Sequence, residues 1–118
     1  MAAYGAGNLI QRSTNGQMKR YSGFTSTVSA SFSVTGGTPV GSSIDNNLNV
    51  LDIQQAVPNK IRRFASFTTT VNASIASPAT TGTDVSWDRT NLYSEDQGNL
   101  KSYQHNGFTT TITASFAY

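Results

Sequence analysis

A nine-residue pattern that occurs three times constrains this chain more than any other feature of its sequence. The copies begin at Phe24, Phe67 and Phe108, 43 and 41 residues apart, and share the pattern Phe-[Ser/Thr]-[Ser/Thr]-Thr-[Val/Ile]-x-Ala-Ser-[Phe/Ile]. Nine aligned positions that match three times exceed chance even in a chain rich in serine and threonine. The chain is therefore predicted to contain three copies of one structural unit.

Within each copy, apolar or small residues alternate with hydroxyl residues, which is the periodicity of a β-strand with one face buried. Threonine, valine and isoleucine also favour the extended backbone. We expect a long strand from each motif phenylalanine onward, with the central Val or Ile buried and the Thr before it more exposed. The buried residues would be Val28, Val71 and Ile112, and the exposed ones Thr27, Thr70 and Thr111.

A shorter segment that starts near an Asn-Leu pair precedes each copy. These lead segments end in Met18–Tyr21, Ile61–Phe64 and Leu100–Tyr103, and the third has two extra residues before its motif. Each contains turn-forming residues, so the unit is predicted to be a short strand, a turn and a long strand. We expect a single domain over residues 1–118, with internal repeats at 8–46, 47–90 and 91–118.

The composition favours an all-β fold with little helix. Hydrophobic residues make up 36% of the chain and charged residues 12%, while 31 Ser and Thr and 16 Asn and Gln fill the difference. Twelve aromatic residues still allow a packed core. A β-trefoil would have to be closed by residues 1–7, which are too few for a strand pair. We therefore predict an antiparallel sandwich or small barrel built from three hairpin-like repeats of about 40 residues.

Residue types that carry catalysis or bind metals are scarce. The chain has no cysteine, and its one histidine, His105, lies in a stretch that is typical of an exposed turn. It lacks a histidine pair for a metal, a serine elbow and a phosphate-binding loop. We therefore expect no enzyme activity, no catalytic residues, no cofactor and no metal site.

Basic residues recur in the lead segments, shortly before an aromatic residue. They comprise five of the eight Lys and Arg residues, namely Lys19, Arg20, Arg62, Arg63 and Lys101. Cations at equivalent places favour a binding surface for an acidic partner, while protection of sheet edges is the alternative. The net charge of +2 is too small to predict nucleic-acid binding.

The single tryptophan lies among charged residues. Trp87 is close in sequence to Asp84, Asp88 and Arg89, which together resemble a platform for a sugar ring with hydrogen-bonding groups around it. The alternative interpretation places this indole in the core or in a subunit contact. A glycan therefore stays on the list of expected partners.

These features favour a non-enzymatic structural protein that assembles with copies of itself and with other assembly proteins. The sequence shows no leader and no cysteine, and its strands carry few charges. We expect a phage-type virion coat, decoration or tail component, made in the host cytoplasm and without membrane contact. The alternative is an extracellular, lectin-like carbohydrate-binding module that uses Trp87. A third hypothesis, a β-pore-forming or outer-membrane strand module, follows from the Ser/Thr-rich strands.

Overall fold

The computed structural model describes residues 2–5, 7–12, 15–34, 39–44, 49–54 and 59–118. Its strands are β1 (Ala2–Gly5), β2 (Asn8–Arg12), β3 (Gln17–Tyr21), β4 (Val28–Ser33), β5 (Pro39–Ile44), β6 (Val50–Gln54), β7 (Lys60–Phe64), β8 (Val71–Ala76), β9 (Gly82–Trp87), β10 (Leu92–Asp96), β11 (Lys101–His105) and β12 (Ile112–Ala117). Helix in these residues is limited to one 3-10 turn at Ala65–Phe67. The prediction of an all-β chain with little helix is confirmed.

The strands form three antiparallel sheets of four strands each, in chain order. Sheet 1 contains β1 to β4, sheet 2 contains β5 to β8, and sheet 3 contains β9 to β12. Strands that are neighbours in sequence are also neighbours in each sheet, as hairpin connections require. The first strands of sheets 2 and 3 come from the ends of the predicted units 8–46 and 47–90.

Two apolar layers hold the sheets together face to face. The layer between sheets 1 and 2 contains Ile10, Met18, Ile44, Val50, Phe64 and Phe67. The layer between sheets 2 and 3 contains Leu51, Ile53, Ile61, Val85 and Leu92. Because successive side chains of a strand point to opposite faces, β6 sends Val50 toward sheet 1 and Leu51 toward sheet 3. The sheets are therefore packed like the layers of a sandwich, with sheet 2 covered on both faces.

Glycine at position 41 lets the first strands of sheets 2 and 3 approach closely. A Cβ atom at Gly41 would lie 2.6 Å from the Cα of Asp84 and 2.6 Å from the carbonyl oxygen of Thr83. No side chain fits at such distances from backbone atoms. The contact between β5 and β9 therefore depends on this glycine.

Each sheet has two faces, which we name by what they contact. In sheets 1 and 2 the receiving face is the one that the next sheet packs against, and in sheets 2 and 3 the docking face packs against the preceding sheet. The opposite face of sheet 3 and the opposite face of sheet 1 are given the name of the face that has equivalent residues in the other sheets. Strand registers place equivalent residues in the three sheets. Cross-strand pairs at one receiving position are Met18 with Phe32, Ile61 with Ile75, and Ser102 with Phe116. Pairs at the next are Arg20 with Ala30, Arg63 with Ala73, and Gln104 with Ala114.

The same registers correct the predicted alignment of the third lead segment. A register shift occurs at Tyr21, Phe64 and His105, which are therefore equivalent residues. The third lead segment has no extra residues before its motif, and Tyr103 takes the position expected for Lys101. Repetition of the basic pair holds for sheets 1 and 2 but fails in sheet 3.

The first motif residues form a loop, which corrects the prediction of a strand from each motif phenylalanine. The backbone N–H groups of Ser22, Ala65 and Asn106 donate to the carbonyl groups of Thr27, Thr70 and Thr111 at 2.8–2.9 Å. In each loop the hydroxyl of Thr25, Thr68 or Thr109 donates to the carbonyl three residues earlier at 2.7 Å. The hydroxyl oxygen of the same threonine accepts a hydrogen bond from the backbone N–H two residues later at 3.2 Å. We call residues 22–27, 65–70 and 106–111 the motif loops.

The predicted burial of the central Val and Ile residues is wrong. Val28 is 47% exposed, Val71 42% and Ile112 37%. They are the first residues of the outermost strands, directly after the motif loops, and the first apolar layer reaches β4 only from Ala30 onward. The Thr residues before them are exposed, as predicted.

Candidate functional site

The motif phenylalanine of one sheet contacts the receiving face of the sheet before it. The Phe67 ring lies 4.9 Å from the Phe32 ring in an edge-to-face arrangement, and the Arg20 guanidinium lies 5.4 Å from its centroid. In sheet 3, Phe108 lies 5.2 Å from the Arg63 guanidinium. Phe24 of sheet 1 is 81% exposed. Among the described residues no sheet precedes sheet 1, which explains the difference.

The receiving face of sheet 3 is an open groove with a volume of about 340 Å³. Alternate residues of all four strands line it, because these residues share one side of the sheet. The lining residues on this face are Asp84, Ser86, Tyr93, Glu95, Ser102, Gln104, Ala114 and Phe116. We call this site the third-sheet groove. No other sheet among the described residues covers it.

The third-sheet groove has the same alanine and phenylalanine as the receiving face of sheet 1, but it differs from the other receiving faces at neighbouring positions. Ala114 and Phe116 occupy the places of Ala30 and Phe32, so the seat for a motif phenylalanine is retained. Two other positions differ in polarity or charge. Glu95 stands where sheets 1 and 2 have Arg12 and Ile53, and Ser102 stands where they have Met18 and Ile61. An aromatic seat on the same sheet face as two carboxylates, those of Glu95 and, on the far edge strand, Asp84, suits a ligand that carries both a ring and a positive charge.

The five predicted basic residues lie on different faces. Arg62 forms an ion pair with the buried Asp52, at 2.9 Å and 3.2 Å, and lies 4.9 Å above the Phe64 ring. Arg20 and Arg63 contact the motif phenylalanines of the next sheets. These three arginines therefore stabilise the contacts within and between sheets.

Lys19 and Lys101 are placed differently from the three arginines. Lys19 pairs with Gln11 on the docking face of sheet 1, at the position that Arg62 has in sheet 2. Lys101 is exposed on β11. Partner binding through the basic residues stays a prediction, and Lys19 is its main candidate because of its place on the docking face of sheet 1.

The four residues of the predicted sugar platform are not brought together. Trp87 packs against the apolar layer between sheets 2 and 3, and Asp84 lines the third-sheet groove. Asp88 accepts hydrogen bonds from the N–H groups of Thr90 and Asn91 and from the Tyr93 hydroxyl. These bonds, with that from Asn91 the largest, lower the pKa of Asp88. The carboxylate therefore holds a turn, in which Arg89 is exposed.

His105 is fully buried, which corrects its prediction as an exposed turn residue. Its Nδ1 lies 2.8 Å from the carbonyl oxygen of Thr109, which can only accept, so Nδ1 carries the proton. Its Nε2 then accepts from the Ser94 hydroxyl at 2.9 Å. Burial lowers the pKa of His105. Ser94 and His105 form a hydroxyl–imidazole pair like that of an activated serine. Both side chains are buried between sheets, so the pair contributes to packing.

Sequence reasoning missed the role of His105 because of the alignment of the third lead segment. Without the two supposed extra residues, His105 aligns with the aromatic Tyr21 and Phe64. Tyr21 makes the matching contact in sheet 1, where its hydroxyl donates to Gln11 Oε1 at 2.7 Å. The equal spacing from each of these residues to its motif phenylalanine was the signal that could have shown it.

Asp96 organises the turns at one end of sheet 3. Its buried carboxylate accepts hydrogen bonds from the N–H groups of Thr80, Thr81 and Gly98 and from the Asn99 side chain. Burial alone would raise the pKa of Asp96, but the hydrogen bonds lower it to about 2. Nowhere in the described part of the chain do three His, Cys, Asp or Glu residues cluster as metal ligands would. The same residues include no helix that is long and apolar enough to cross a membrane.

The sequence matches no protein-family model and no curated protein. Several solved structures share its fold. Glutaminyl cyclase from Myxococcus xanthus has a TM-score of 0.77 at 12% identity, over 97% of this chain and 50% of that one. BamB from Moraxella catarrhalis has a TM-score of 0.67 at 10% identity, over 100% of this chain and 35% of that one. A Bacteroides caccae protein of unknown function has a TM-score of 0.63 at 12% identity, over 98% of this chain and 44% of that one.

These likenesses show the fold alone, because the sequence identities are so low. The three sheets are arranged like the blades of a β-propeller, and the chain spans half or less of the length of these propeller-like proteins. The expectation of a virion coat, decoration or tail component is wrong, since the neighbours indicate a propeller-like fold that is not specific to virions. One neighbour is an enzyme, but its identity of 12% transfers no activity to this chain.

Proposed function

We propose that this chain is a non-enzymatic interaction module whose third-sheet groove receives the motif loop of a further propeller-like sheet. The retained pair Ala114 and Phe116 carries this proposal. In sheet 1 the equivalent residues, Ala30 and Phe32, pack against the layer into which the next motif phenylalanine inserts. The groove therefore repeats a seat that is occupied elsewhere in the same molecule.

The polar residues of the groove specify the chemistry of its partner. A further sheet that packed on the groove as sheet 2 packs on sheet 1 would place its motif phenylalanine against Phe116, which is 65% exposed. It would also need a positive charge to pair with Glu95, because a buried, unpaired carboxylate is costly. An aromatic loop beside a lysine or arginine meets both requirements.

A cyclic peptide can test whether the groove accepts a motif loop. The ends of the second loop are close together, since Phe64 pairs with Val71 and Ala65 N–H donates to Thr70. A head-to-tail cyclised peptide of residues 64–71 therefore suits this purpose. Added to isotope-labelled Phe24→Ala protein, whose own first motif loop lacks the ring that could compete for the groove, it should shift the NMR signals of Gln104, Ala114 and Phe116 in a saturable manner.

The matched control is the same cyclic peptide with alanine in place of Phe67. We expect this control to bind at least about tenfold more weakly, because the buried ring supplies most of the apolar contact. The Phe116→Ala protein should lose binding of the unmodified peptide. Equal shifts with both peptides, or no shifts in the groove at millimolar peptide, would contradict the proposed function.

A further inference from the structure

We infer that the partner of the third-sheet groove is a second copy of this chain, docked through the exposed face of its sheet 1, an inference that rests on the proposed function. Phe24 of one copy would insert against Phe116 of the other, and Lys19 would pair with Glu95. Both contacts follow from positions that are already occupied between sheets 1 and 2. The self-association is therefore head to tail.

The docking face of sheet 1 presents the residues that a receiving face contacts. Phe24 has the motif position of Phe67 and Phe108, each of which lies on the preceding sheet. Leu9 and Tyr21 have the positions of Val50 and Phe64, which are buried in the first apolar layer. Leu9 and Tyr21 are half-buried in one copy, so a second copy would cover further apolar surface.

The charged pair follows from the contact between sheets 1 and 2. Arg12, on the receiving face of sheet 1, interacts electrostatically with Asp52 and Arg62 on the docking face of sheet 2. In the inferred contact Glu95 replaces Arg12, and Gln11 and Lys19 replace Asp52 and Arg62. The carboxylate of Glu95 therefore meets one lysine and no acidic residue. Only the charge on the receiving face changes sign, from Arg12 to Glu95, while the cation of the docking face is kept, so the pair of Glu95 and Lys19 is attractive.

Charge is distributed unevenly along the chain in a way that favours the same orientation. Residues 1–34 contain three basic and no acidic residues, whereas residues 82–118 contain four acidic and two basic residues. Opposite charges at the two ends of the stack of sheets steer the ends of different copies toward each other. We expect a closed dimer of six sheets.

Analytical ultracentrifugation across a range of protein concentrations tests this inference. The unmodified chain should convert from monomer to dimer, and the dissociation constant should rise with salt, because screening weakens partly exposed charge pairs. Phe24→Ala and Glu95→Lys should each raise the dissociation constant at least about tenfold. The double variant Lys19→Glu with Glu95→Lys should restore the constant to within about threefold, because it exchanges the charges without removing the pair.

Two control variants separate these effects from general ones. Lys101→Glu changes an exposed charge outside the contact, and Leu100→Ala removes an exposed apolar side chain. Both should leave the dissociation constant unchanged, and circular dichroism checks that every variant is folded. A chain that stays monomeric at all concentrations would overturn the inference, as would an oligomer that Phe24→Ala and Glu95→Lys leave intact. If the cyclic peptide still binds to such a monomer, the proposed function survives and only the second copy is excluded as the partner.

Discussion

At the scale of single residues, the motif phenylalanines show how position in the stack sets the energy of one side chain. Phe67 and Phe24 stand at the same motif position, but Phe67 is 6% exposed and Phe24 is 81% exposed. Sheet 1 covers Phe67 through Phe32 and Arg20. The same motif position therefore has different burial, because among the described residues a preceding sheet covers Phe67 and none covers Phe24.

This difference predicts unequal costs of truncation. Phe67→Ala should lower the free energy of unfolding by about 3–5 kcal/mol, as the loss of a buried aromatic ring does. Phe24→Ala should lower it by less than about 1 kcal/mol at a concentration low enough to keep the chain monomeric. Denaturant unfolding followed by circular dichroism measures both, and equal costs would mean that the faces of sheet 1 are misassigned.

The buried His105 predicts a loss of stability in weak acid. Its pKa is lowered in the folded chain from the ordinary value of 6.5, so protons bind the unfolded chain more tightly. The free energy of unfolding should be constant above pH 6.5 and fall as the pH drops below it. Thermal melts from pH 8 to about pH 5 measure this dependence.

The matched variant is His105→Gln, whose amide can accept from Ser94 and donate to Thr109 but does not titrate. Its stability should be independent of pH over the same window. Asp96, with a pKa of about 2, adds its own loss only as the pH falls from its ordinary value of 3.8 toward 2. A slope between pH 7 and 5 that persists in His105→Gln would show that another group titrates.

At the scale of elements, the second motif loop is strained at two successive positions, because Ser66 has a φ of 48° and Phe67 a φ of 59°. The second residue of each loop has a positive φ: 63° at Gly23, 61° at Gly107 and 48° at Ser66. Two of the three loops use glycine, which adopts this conformation without cost, whereas a residue with a Cβ pays about 1–2 kcal/mol. The second loop therefore holds strain that the other two avoid.

Ser66→Gly should relieve the strain at residue 66, while that at Phe67 stays. Glycine keeps the N–H that donates to Asn49 Oδ1 at 3.0 Å, but it also increases the entropy of the unfolded chain. The expected net gain in the free energy of unfolding is about 0.5–1 kcal/mol. The reverse change in the third loop, Gly107→Ser, should cost a similar amount. Denaturant unfolding compares the two, and a loss of stability in Ser66→Gly would show that the serine side chain holds the loop.

The motif also shows how far an element can be predicted from its sequence. Alternation correctly indicates the strand from Ala30 through Phe32, where Ser31 lies opposite the two apolar residues. The same residue types fail at Thr25 and Thr68, because a hydroxyl that bonds the local backbone favours a loop as strongly as a β-branched side chain favours a strand. Periodicity alone does not separate these two uses of threonine.

At the scale of the whole molecule, the sequence repeats predict an all-β chain of hairpin-like units, but neither its division into separate four-stranded sheets nor the open groove. The groove combines residues of four strands, and the matches of Glu95 with Arg12 and Ile53, and of Ser102 with Met18 and Ile61, emerge only after the registers are known. The sequence alone also does not show which receiving face is left uncovered. The virion hypothesis failed for a related reason, since strands that pair readily also build propeller-like sheets within one chain.

The contact between sheets 2 and 3 predicts the effect of one added methyl group. A Cβ at Gly41 would lie 2.6 Å from the Asp84 Cα and 2.9 Å from the Ile53 side chain, so Gly41→Ala must push β9 away from β5. Overpacking of this kind costs about 1–3 kcal/mol. Ser43→Ala, which removes an oxygen on the same strand and adds no atom, is the matched control and should cost less than about 1 kcal/mol.

Trp87 allows this separation to be observed directly. It is the only tryptophan of the chain and packs against the apolar layer between sheets 2 and 3, so its fluorescence reports on that layer. In Gly41→Ala the emission should shift to longer wavelength at a lower denaturant concentration than the loss of the β-sheet circular dichroism signal, because sheet 3 loosens before the other sheets unfold. Coincident transitions that match those of Ser43→Ala would mean that the sheets tolerate a wider spacing and that Gly41 is not required for their contact.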